Sequence, residues 1–124
     1  MDAKTKYVIQ SDVKFAALEK IDIGAIEKAC DYDWFNQTLC QVNDSLVRFG
    51  IFKGEFHWHQ HDKEDEFFYV VEGKLLIDFA DRTVELAPKQ GIVVPMGVKH
   101  RPRAPERTLV LMVEAVTVNV TGDA

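Results

Sequence analysis

The stretch that decides the fold is residues 53–61, KGEFHWHQH, in which histidine occupies every second position from 57 to 61. Alternate side chains of an extended strand point to the same face, so His57, His59 and His61 share one side. Trp58 lies on the other side, where we expect it to pack. Two imidazoles placed two positions apart can converge on one cation, with Zn–N bonds of ~2.0–2.1 Å. The stretch therefore indicates a metal site on a strand.

A carboxylate for such a site follows within a few residues, and two registers fit locally. The spacing His-x-His-x4-Glu occurs twice, starting at His57 and at His59, and ends at Glu64 or at Glu66. The second register is favoured by its surroundings, because Gly73 follows Glu66 after six further residues, at a hairpin turn. The first register has no glycine in the equivalent place.

The fourth histidine, His100, lies far along the chain, directly after residues 95–99, PMGVK. The proline and glycine of that stretch predict a turn that aims His100 back at the sheet. Arg101 and Arg103 alternate against His100, so we expect their side chains to point away from a bound ion.

From Thr38 onward the chain is a succession of short apolar segments separated by turn-forming residues. Residues 42–45, VNDS, predict a hairpin, the pair Glu72-Gly73 predicts a second tight hairpin, and residues 80–82 predict another turn. The predicted strands are 46–52, 67–71, 74–79, 83–86, 92–94 and 108–113. Many short strands at close spacing indicate an all-β barrel or sandwich.

Residues 1–44 form a less regular leading segment. Ser11 or Asp12 could cap a short helix through Lys20, and Asp22 could cap a second helix. Apolar and β-branched residues within the segment also suit strands. We expect the segment to cover an end or edge of the barrel or to pair with a second subunit.

The composition is that of one folded domain. Hydrophobic residues make up 47% of the 124 residues, enough for a core without disulfides. The net charge of −5 disfavours nucleic-acid and anionic-membrane partners. No apolar run reaches signal-peptide or membrane-span length, so we expect a soluble, cytoplasmic protein. Cys30 and Cys40 lack CxxC spacing and are expected to be partly buried thiols.

These motifs resemble those of a known family. Residues 53–61, with Glu66 and Gly73, resemble the first motif of the cupin superfamily, and residues 95–100, P-x-G-x-x-H, resemble its second motif. The resemblance covers about residues 45–123. It is similar to small, single-domain bacterial cupins with an RmlC-like jelly roll, often labelled mannose-6-phosphate-isomerase-like.

Position by position, the resemblance implies four metal ligands: His59, His61, Glu66 and His100. It also implies a cupin-type jelly-roll β-barrel over residues 45–124, with the short, partly helical segment 1–44 packed on the barrel or on a partner subunit. Such cupins are commonly homodimers. The family pattern has no ligand at His57, which we expect to be a neighbour of the site.

Three histidines and one glutamate leave two positions of an octahedral ion open. Mixed nitrogen and oxygen ligation suits Fe, Mn, Ni, Co, Zn or Cu without selecting one. Such an ion could polarise a carbonyl, activate water or, if redox-active, activate oxygen. We therefore expect a metal-dependent enzyme, isomerase-like or dioxygenase-like, acting on a small molecule inside the barrel. A non-catalytic cupin that binds or senses a small ligand or metal, and a purely structural metal, are the alternatives.

No catalytic residue stands out beside the four ligands. Arg48 lies on a predicted strand that faces the cavity on one side. We expect it in a surface charge pair, with the anchoring of an anionic substrate as the alternative. Sugar-phosphate isomerisation itself is not favoured, because no cluster of lysines and arginines faces the expected cavity.

Overall fold

The structure, a computed structural model, describes residues 7–123 and consists mainly of strands. Its elements are β1 (Val8–Gln10), α1 (Ile23–Ala29), β2 (Trp34–Val42), β3 (Ser45–Glu55), β4 (Glu66–Glu72), β5 (Leu75–Asp78), β6 (Thr83–Leu86), β7 (Gly91–Val94) and β8 (Arg101–Ala115). This confirms the predicted all-β class with one short helix. Among the described residues there is no helix with the length and hydropathy that a membrane crossing requires.

The eight strands form one open sheet in the order β1-β2-β3-β8-β4-β7, with β5 paired to both β6 and β8. β3 and β8 are antiparallel, with Ser45 opposite Ala115 and Phe52 opposite Thr108. Beyond Phe52 the register shifts, and residues 105–107 of β8 have no partner on β3. On its other edge β8 pairs with β4 and then with β5, so it connects the two halves of the sheet.

Both faces of the sheet carry apolar side chains. Neighbouring residues of β2 and β3 are hydrophobic, and neighbours in a strand point to opposite faces. The inner face holds the larger core: Trp34, Phe52, Phe56, Phe68, Val70, Leu75, Ile77, Leu86, Val94, Ala104, Val110 and Met112. The outer face holds a smaller core of Phe35, Leu39, Phe49, Ile51 and Leu109. Ile23 and Ile26 of α1 pack on the outer core, so the leading segment covers that face.

Helix α1 begins as predicted. The Asp22 carboxylate accepts a hydrogen bond from the Ala25 N–H at 3.3 Å, which satisfies one free donor of the first turn. The helix predicted within residues 11–20 is wrong, since that stretch forms only bends and turns. Its backbone is committed elsewhere: the Phe15 N–H donates to the Leu39 carbonyl at 2.9 Å.

The predicted turns have different outcomes. The hairpin at residues 42–45 is confirmed as the connection between β2 and β3, with Asn43 at φ +51°. The hairpin predicted at Glu72-Gly73 is wrong, because β4 and β5 do not pair with each other and both run antiparallel to β8. Gly73, at φ +95°, makes a bend there, and a Cβ on it would lie 2.5 Å from Thr108 Oγ1.

β2 and β8 begin well before the positions that the pattern predicts. β2 begins at Trp34, ahead of the expected start near Thr38, and so lies within the leading segment. β8 begins at Arg101 rather than near Thr108. The two cysteines are free thiols and are partly buried, as predicted.

Candidate metal centre

Four side chains from separate parts of the chain meet on the inner face of the sheet, and we call them the His–Glu cluster: His59, His61, Glu66 and His100. His59 and His61 belong to the segment that connects β3 to β4, residues 56–65, which we call the histidine loop. Glu66 is the first residue of β4, and His100 directly precedes β8. One ligand atom from each side chain lies within 4.8 Å of all the others.

Backbone pairing brings the two motifs together. The histidine loop is not a regular strand, but an isolated bridge joins His59 to His100. The His59 N–H donates to the His100 carbonyl at 3.0 Å, and the His100 N–H donates back at 2.9 Å. The Gly97 N–H donates to the His61 carbonyl at 2.8 Å, so the predicted turn before His100 also holds the loop.

Two of the imidazole rings are oriented by backbone carbonyls. His59 Nδ1 lies 3.0 Å from the His57 carbonyl oxygen, and His100 Nδ1 lies 2.9 Å from the Val98 carbonyl oxygen. A carbonyl only accepts, so each Nδ1 carries the proton and donates. Each Nε2 is then the lone-pair nitrogen, which is the arrangement that metal-binding histidines use.

The cluster contains buried polar atoms that have no hydrogen-bond partner among the described residues. Glu66 Oε1 lies 3.3 Å from His61 Nε2 and 3.4 Å from His100 Nε2. Within residues 7–123 none of these three atoms has a hydrogen-bond partner, and no side chain of the cluster is more than 8% exposed. Unpartnered buried polar groups are rare because they cost free energy. The donor set therefore fits a divalent transition metal ion.

Burial and charge set the protonation of the cluster. Burial lowers the pKa of His59 to about 4, so this imidazole is neutral near pH 7. Burial also acts to lower the pKa of His61, but the Glu66 carboxylate outweighs it and the pKa of His61 is raised. Burial opposes ionisation of Glu66, yet His100 and His61 beside it lower the pKa of that carboxyl group. A metal ion would therefore compete with a proton on His61.

The residues of the alternative register lie elsewhere. His57 is exposed, and its Nε2 is 2.8 Å from the Thr121 carbonyl oxygen. The Glu64 carboxylate accepts a hydrogen bond from the Thr117 hydroxyl at 2.8 Å. Trp58 is 41% exposed and contacts solvent as well as the guanidinium of Arg101, 5.4 Å from its ring centroid, so it adds little to the core.

Arg48 is not in a surface charge pair, contrary to the prediction. Its side chain is fully buried on the inner face, because its position on β3 has the same parity as Phe52. Its Nη2 donates to Asn36 Oδ1, while Nε and Nη1 have no hydrogen-bond partner among the described residues. Burial lowers the pKa of this guanidinium group.

Arg101 and Arg103 point away from the cluster, as predicted. The guanidinium of Arg103 donates to both carboxylate oxygens of Asp78, at 2.8 and 3.1 Å, and Arg101 donates to the same carboxylate at 2.9 and 3.0 Å. The two arginines therefore serve a surface ion-pair group on β5 and β8.

Sequence reasoning missed one acidic residue next to the cluster. Glu114 of β8 lies directly opposite Glu66 of β4, and its side chain is buried. Burial and the negative charge of Glu66 raise the pKa of Glu114 to about 9, so it is neutral near pH 7. The available signal was its parity with Met112 and Val110, which places it on the inner face.

The space beside the cluster is small. A cavity of about 20 Å³ borders His59 and Glu66, which is room for one water molecule. Aromatic rings fill the rest of this region: Trp34 stacks on Phe52 at 4.1 Å and on Phe56 at 5.4 Å between ring centroids. A larger groove of about 470 Å³ lies on the outer face between α1 and β2, and no residue of the cluster lines it.

Comparisons with known proteins agree with the fold and with the motifs. The family model of the cupin domain matches residues 50–116. The uncharacterized protein YdbB of Bacillus subtilis (strain 168) is 45% identical over 80 residues, which cover 64% of this chain and 71% of the relative.

Solved structures give the same result. A cupin-2 domain containing protein from Shewanella frigidimarina NCIMB 400 is 32% identical, with a TM-score of 0.72 and coverage of 77% of this chain and 93% of that one. Protein NMB1881 from Neisseria meningitidis is 26% identical, with a TM-score of 0.70 and coverage of 78% and 99%. Because the family model spans more than half of the sequence and the solved relatives share the fold, this chain belongs to the cupin family.

Proposed function

We propose that this protein binds one divalent transition metal ion through the His–Glu cluster and uses it in chemistry on a small molecule. The observation that carries the proposal is the set of buried, unpartnered ligand atoms on His61, Glu66 and His100. Their chemistry supports Fe, Mn, Ni, Co, Zn or Cu, since imidazole and carboxylate together suit all of these ions.

The chain's own residues would prepare the site before the metal arrives. The carbonyls of His57 and Val98 hold the rings of His59 and His100 with Nε2 directed inward. Glu66 supplies the negative charge that offsets part of the ion's charge. When bound, the ion would supply Lewis-acid chemistry or, if redox-active, oxygen activation.

We favour a metal-dependent enzyme, isomerase-like or dioxygenase-like, because four protein ligands leave positions of an octahedral ion free for a small molecule. A non-catalytic cupin that binds metal or a small ligand is the second candidate. One observation favours it: the cavity beside the cluster has room for a single water molecule.

Metal analysis of untagged protein, purified without a metal-affinity column, tests the proposal. We expect about one transition metal ion per chain in the wild type and a large loss in Glu66→Gln. Glu72→Gln, at the other end of β4 and exposed, is the matched control and should keep the ion. Equal metal content in both variants would show that the cluster does not hold the ion.

Loading the protein with Mn²⁺ and measuring water-proton relaxation then separates the candidates. If water exchanging at the ion enhances the relaxation, the ion has an open coordination position, which supports the metal-dependent enzyme. No enhancement in a protein that holds one Mn²⁺ per chain supports a closed, structural or storage site.

A further inference from the structure

The His–Glu cluster is shut off from solvent partly by residues 116–123, a segment after β8 that we call the strap. Val120 of the strap lines the 20 Å³ cavity together with His59 and Glu66. Gly122 lies against the His59 ring: a Cβ at Gly122 would be 2.5 Å from His59 Cβ and 3.1 Å from its Cγ. Gly122 also has φ +95°, so both space and backbone conformation require glycine here.

Asp123 ties the end of the strap to the histidine loop. Its N–H donates to the Gln60 carbonyl at 2.8 Å, and its carboxylate accepts from the Asp62 N–H at 2.7 Å. The two bonds flank His61, so the same residue that closes the strap also fixes the backbone on either side of a candidate ligand. A carboxylate acceptor makes the second bond stronger than a neutral one.

Two side-chain contacts hold the rest of the strap. The Thr117 hydroxyl donates to the Glu64 carboxylate at 2.8 Å, and His57 Nε2–H donates to the Thr121 carbonyl at 2.8 Å. His57 and Glu64, which belong to the alternative register, thus both contact the strap. The observed contacts account for these two residues without giving them a place in the cluster.

The strap has weak backbone support. No residue of it belongs to a strand of the described chain, whereas the neighbouring β8 pairs on both edges. One of its backbone bonds is an internal turn, from the Gly122 N–H to the Asn119 carbonyl at 2.9 Å, and the bonds to other segments lie at its two ends. Segments with few ladder hydrogen bonds open at a lower free-energy cost than paired strands. The strap can therefore open while the sheet stays intact.

We propose that the strap is the gate of the cupin site: it swings away from the histidine loop to admit metal and ligand, and on closing it positions His59 through Gly122 and His61 through Asp123. The identity of the metal and ligand that the gate admits rests on the function proposed above. The opening of the strap does not depend on that function. This accounts for a site whose closed cavity holds only one water molecule.

Chemical labelling of metal-free protein tests the gate without any metal. Diethyl pyrocarbonate modifies accessible imidazoles, and peptide mass spectrometry locates the product on each histidine. In the double variant Gly122→Ala/Asp123→Ala we expect His59 to react at least about tenfold faster than in the wild type, the effect of losing one charge-assisted hydrogen bond. Val116→Ala, an exposed change in the same segment, should label at the wild-type rate.

Two further measurements separate gating from a general loss of structure. Asp123→Asn keeps Gly122 and an oxygen acceptor for the Asp62 N–H, and His59 should be labelled more slowly in it than in the double variant. Amide hydrogen exchange on β8 should stay protected in the double variant. Equal His59 labelling in the wild type and the double variant overturns the gate, and so does faster labelling accompanied by loss of β8 protection.

Metal exchange then connects the gate to the proposed function. In Zn²⁺-loaded protein we expect the double variant to pass its ion to a chelator at least about tenfold faster, at an unchanged one ion per chain. If the wild type binds no ion at all, the metal function fails, while the labelling result still decides the gate. If ions bind but leave both proteins at one rate, the gate is wrong.

Discussion

Glu66 and Glu114 face each other across the β4–β8 pair, and both carboxyl groups are buried. Two adjacent buried carboxyl groups do not both ionise at low cost, which is why the pKa of Glu114 is raised to about 9. The folded state thus holds a proton that the unfolded chain, with a pKa of ~4.3, releases. Stability must therefore fall as pH rises between these values, by at most about 1.4 kcal/mol per pH unit.

The variant Glu114→Gln should remove this pH dependence, because its neutral amide replaces the neutral acid. We expect metal-free Glu114→Gln to gain stability relative to the wild type between pH 6 and pH 8, measured by urea unfolding. Glu106→Gln, an exposed change on the same strand, is the control and should follow the wild type. Parallel curves for Glu114→Gln and the wild type would contradict the raised pKa.

The metal register can be decided by three variants prepared side by side. His61→Ala and His100→Ala should each lower metal affinity by about 100-fold or more, because each removes a ligand. His57→Ala should leave metal content nearly unchanged, since that ring lies outside the cluster. Loss of the ion in His57→Ala with retention in His61→Ala would instead support the register that ends at Glu64.

Metal affinity should depend on pH through the proton on His61. In the metal-free protein Glu66 raises the pKa of His61 above its ordinary value of ~6.5, so at pH 6.5 and below the ion must displace a proton there. His59, with its pKa lowered to about 4, adds no proton above pH 5. Competition titrations at several pH values should show at least about one proton released per ion between pH 5 and 6.5. A slope of zero would mean that His61 is not a ligand.

Asp78 should stabilise the fold through its charge. Hydrogen bonds from Arg103 outweigh burial and lower the pKa of this carboxyl group, with Thr83 and Arg101 assisting. A lowered pKa adds stability above the unfolded value of ~3.9, and that stability is lost as pH falls further. We expect Asp78→Asn to cost about 1–2 kcal/mol at pH 7, discounted for the partly exposed arginines, and less at pH 2.

Chemical unfolding at pH 7 and at pH 2–3 measures this difference. Asp81→Asn, in the exposed turn between β5 and β6, provides the matched control and should unfold like the wild type at both pH values. A loss of stability in Asp78→Asn that is as large at low pH as at pH 7 would show that shape rather than charge makes the contribution.

We predict a homodimer formed through the leading segment. Val13, Leu18, Ile21 and Tyr32 are exposed there, and Leu18 is fully exposed. Exposed apolar residues concentrated in one segment are typical of an interaction surface. Light scattering at micromolar concentration should give twice the chain mass, and Leu18→Asp should give a monomer. Val93→Asp, an exposed apolar position on β7 outside the leading segment, should remain dimeric; a monomeric wild type would refute the prediction.

The candidate site could be predicted because its signal is local. His59, His61 and Glu66 fall within eight residues, and the turn before His100 is marked by proline and glycine. The β4–β5 connection could not, because Gly73 gives the same local signal in a bend as in a hairpin. Residues 72–73 form a bend rather than a hairpin because β8 is long enough to pair with both β4 and β5. The prolines in the first half of β8 conceal that length in the sequence.

The inner-face charges were hidden for a different reason. Arginine and glutamate are seldom buried, so Arg48 and Glu114 are assigned to the surface unless neighbouring strands are known. The strap was equally hidden, because its contacts depend on where β8 ends relative to the histidine loop. Residue type and spacing predicted the members of the His–Glu cluster, whereas strand pairing determines which side chains surround it.

The position of β8 also determines when this protein can fold. Its residues 101–115 supply the pairing edge for β3, β4 and β5, whose residues leave the ribosome much earlier. Ser45 must wait for Ala115, so the edge of β3 that does not pair with β2 remains open while about seventy residues are synthesised. At ~5–20 residues per second, that interval lasts several seconds. A chaperone that shields β3 during this time should raise the yield of native protein more than one that acts after release.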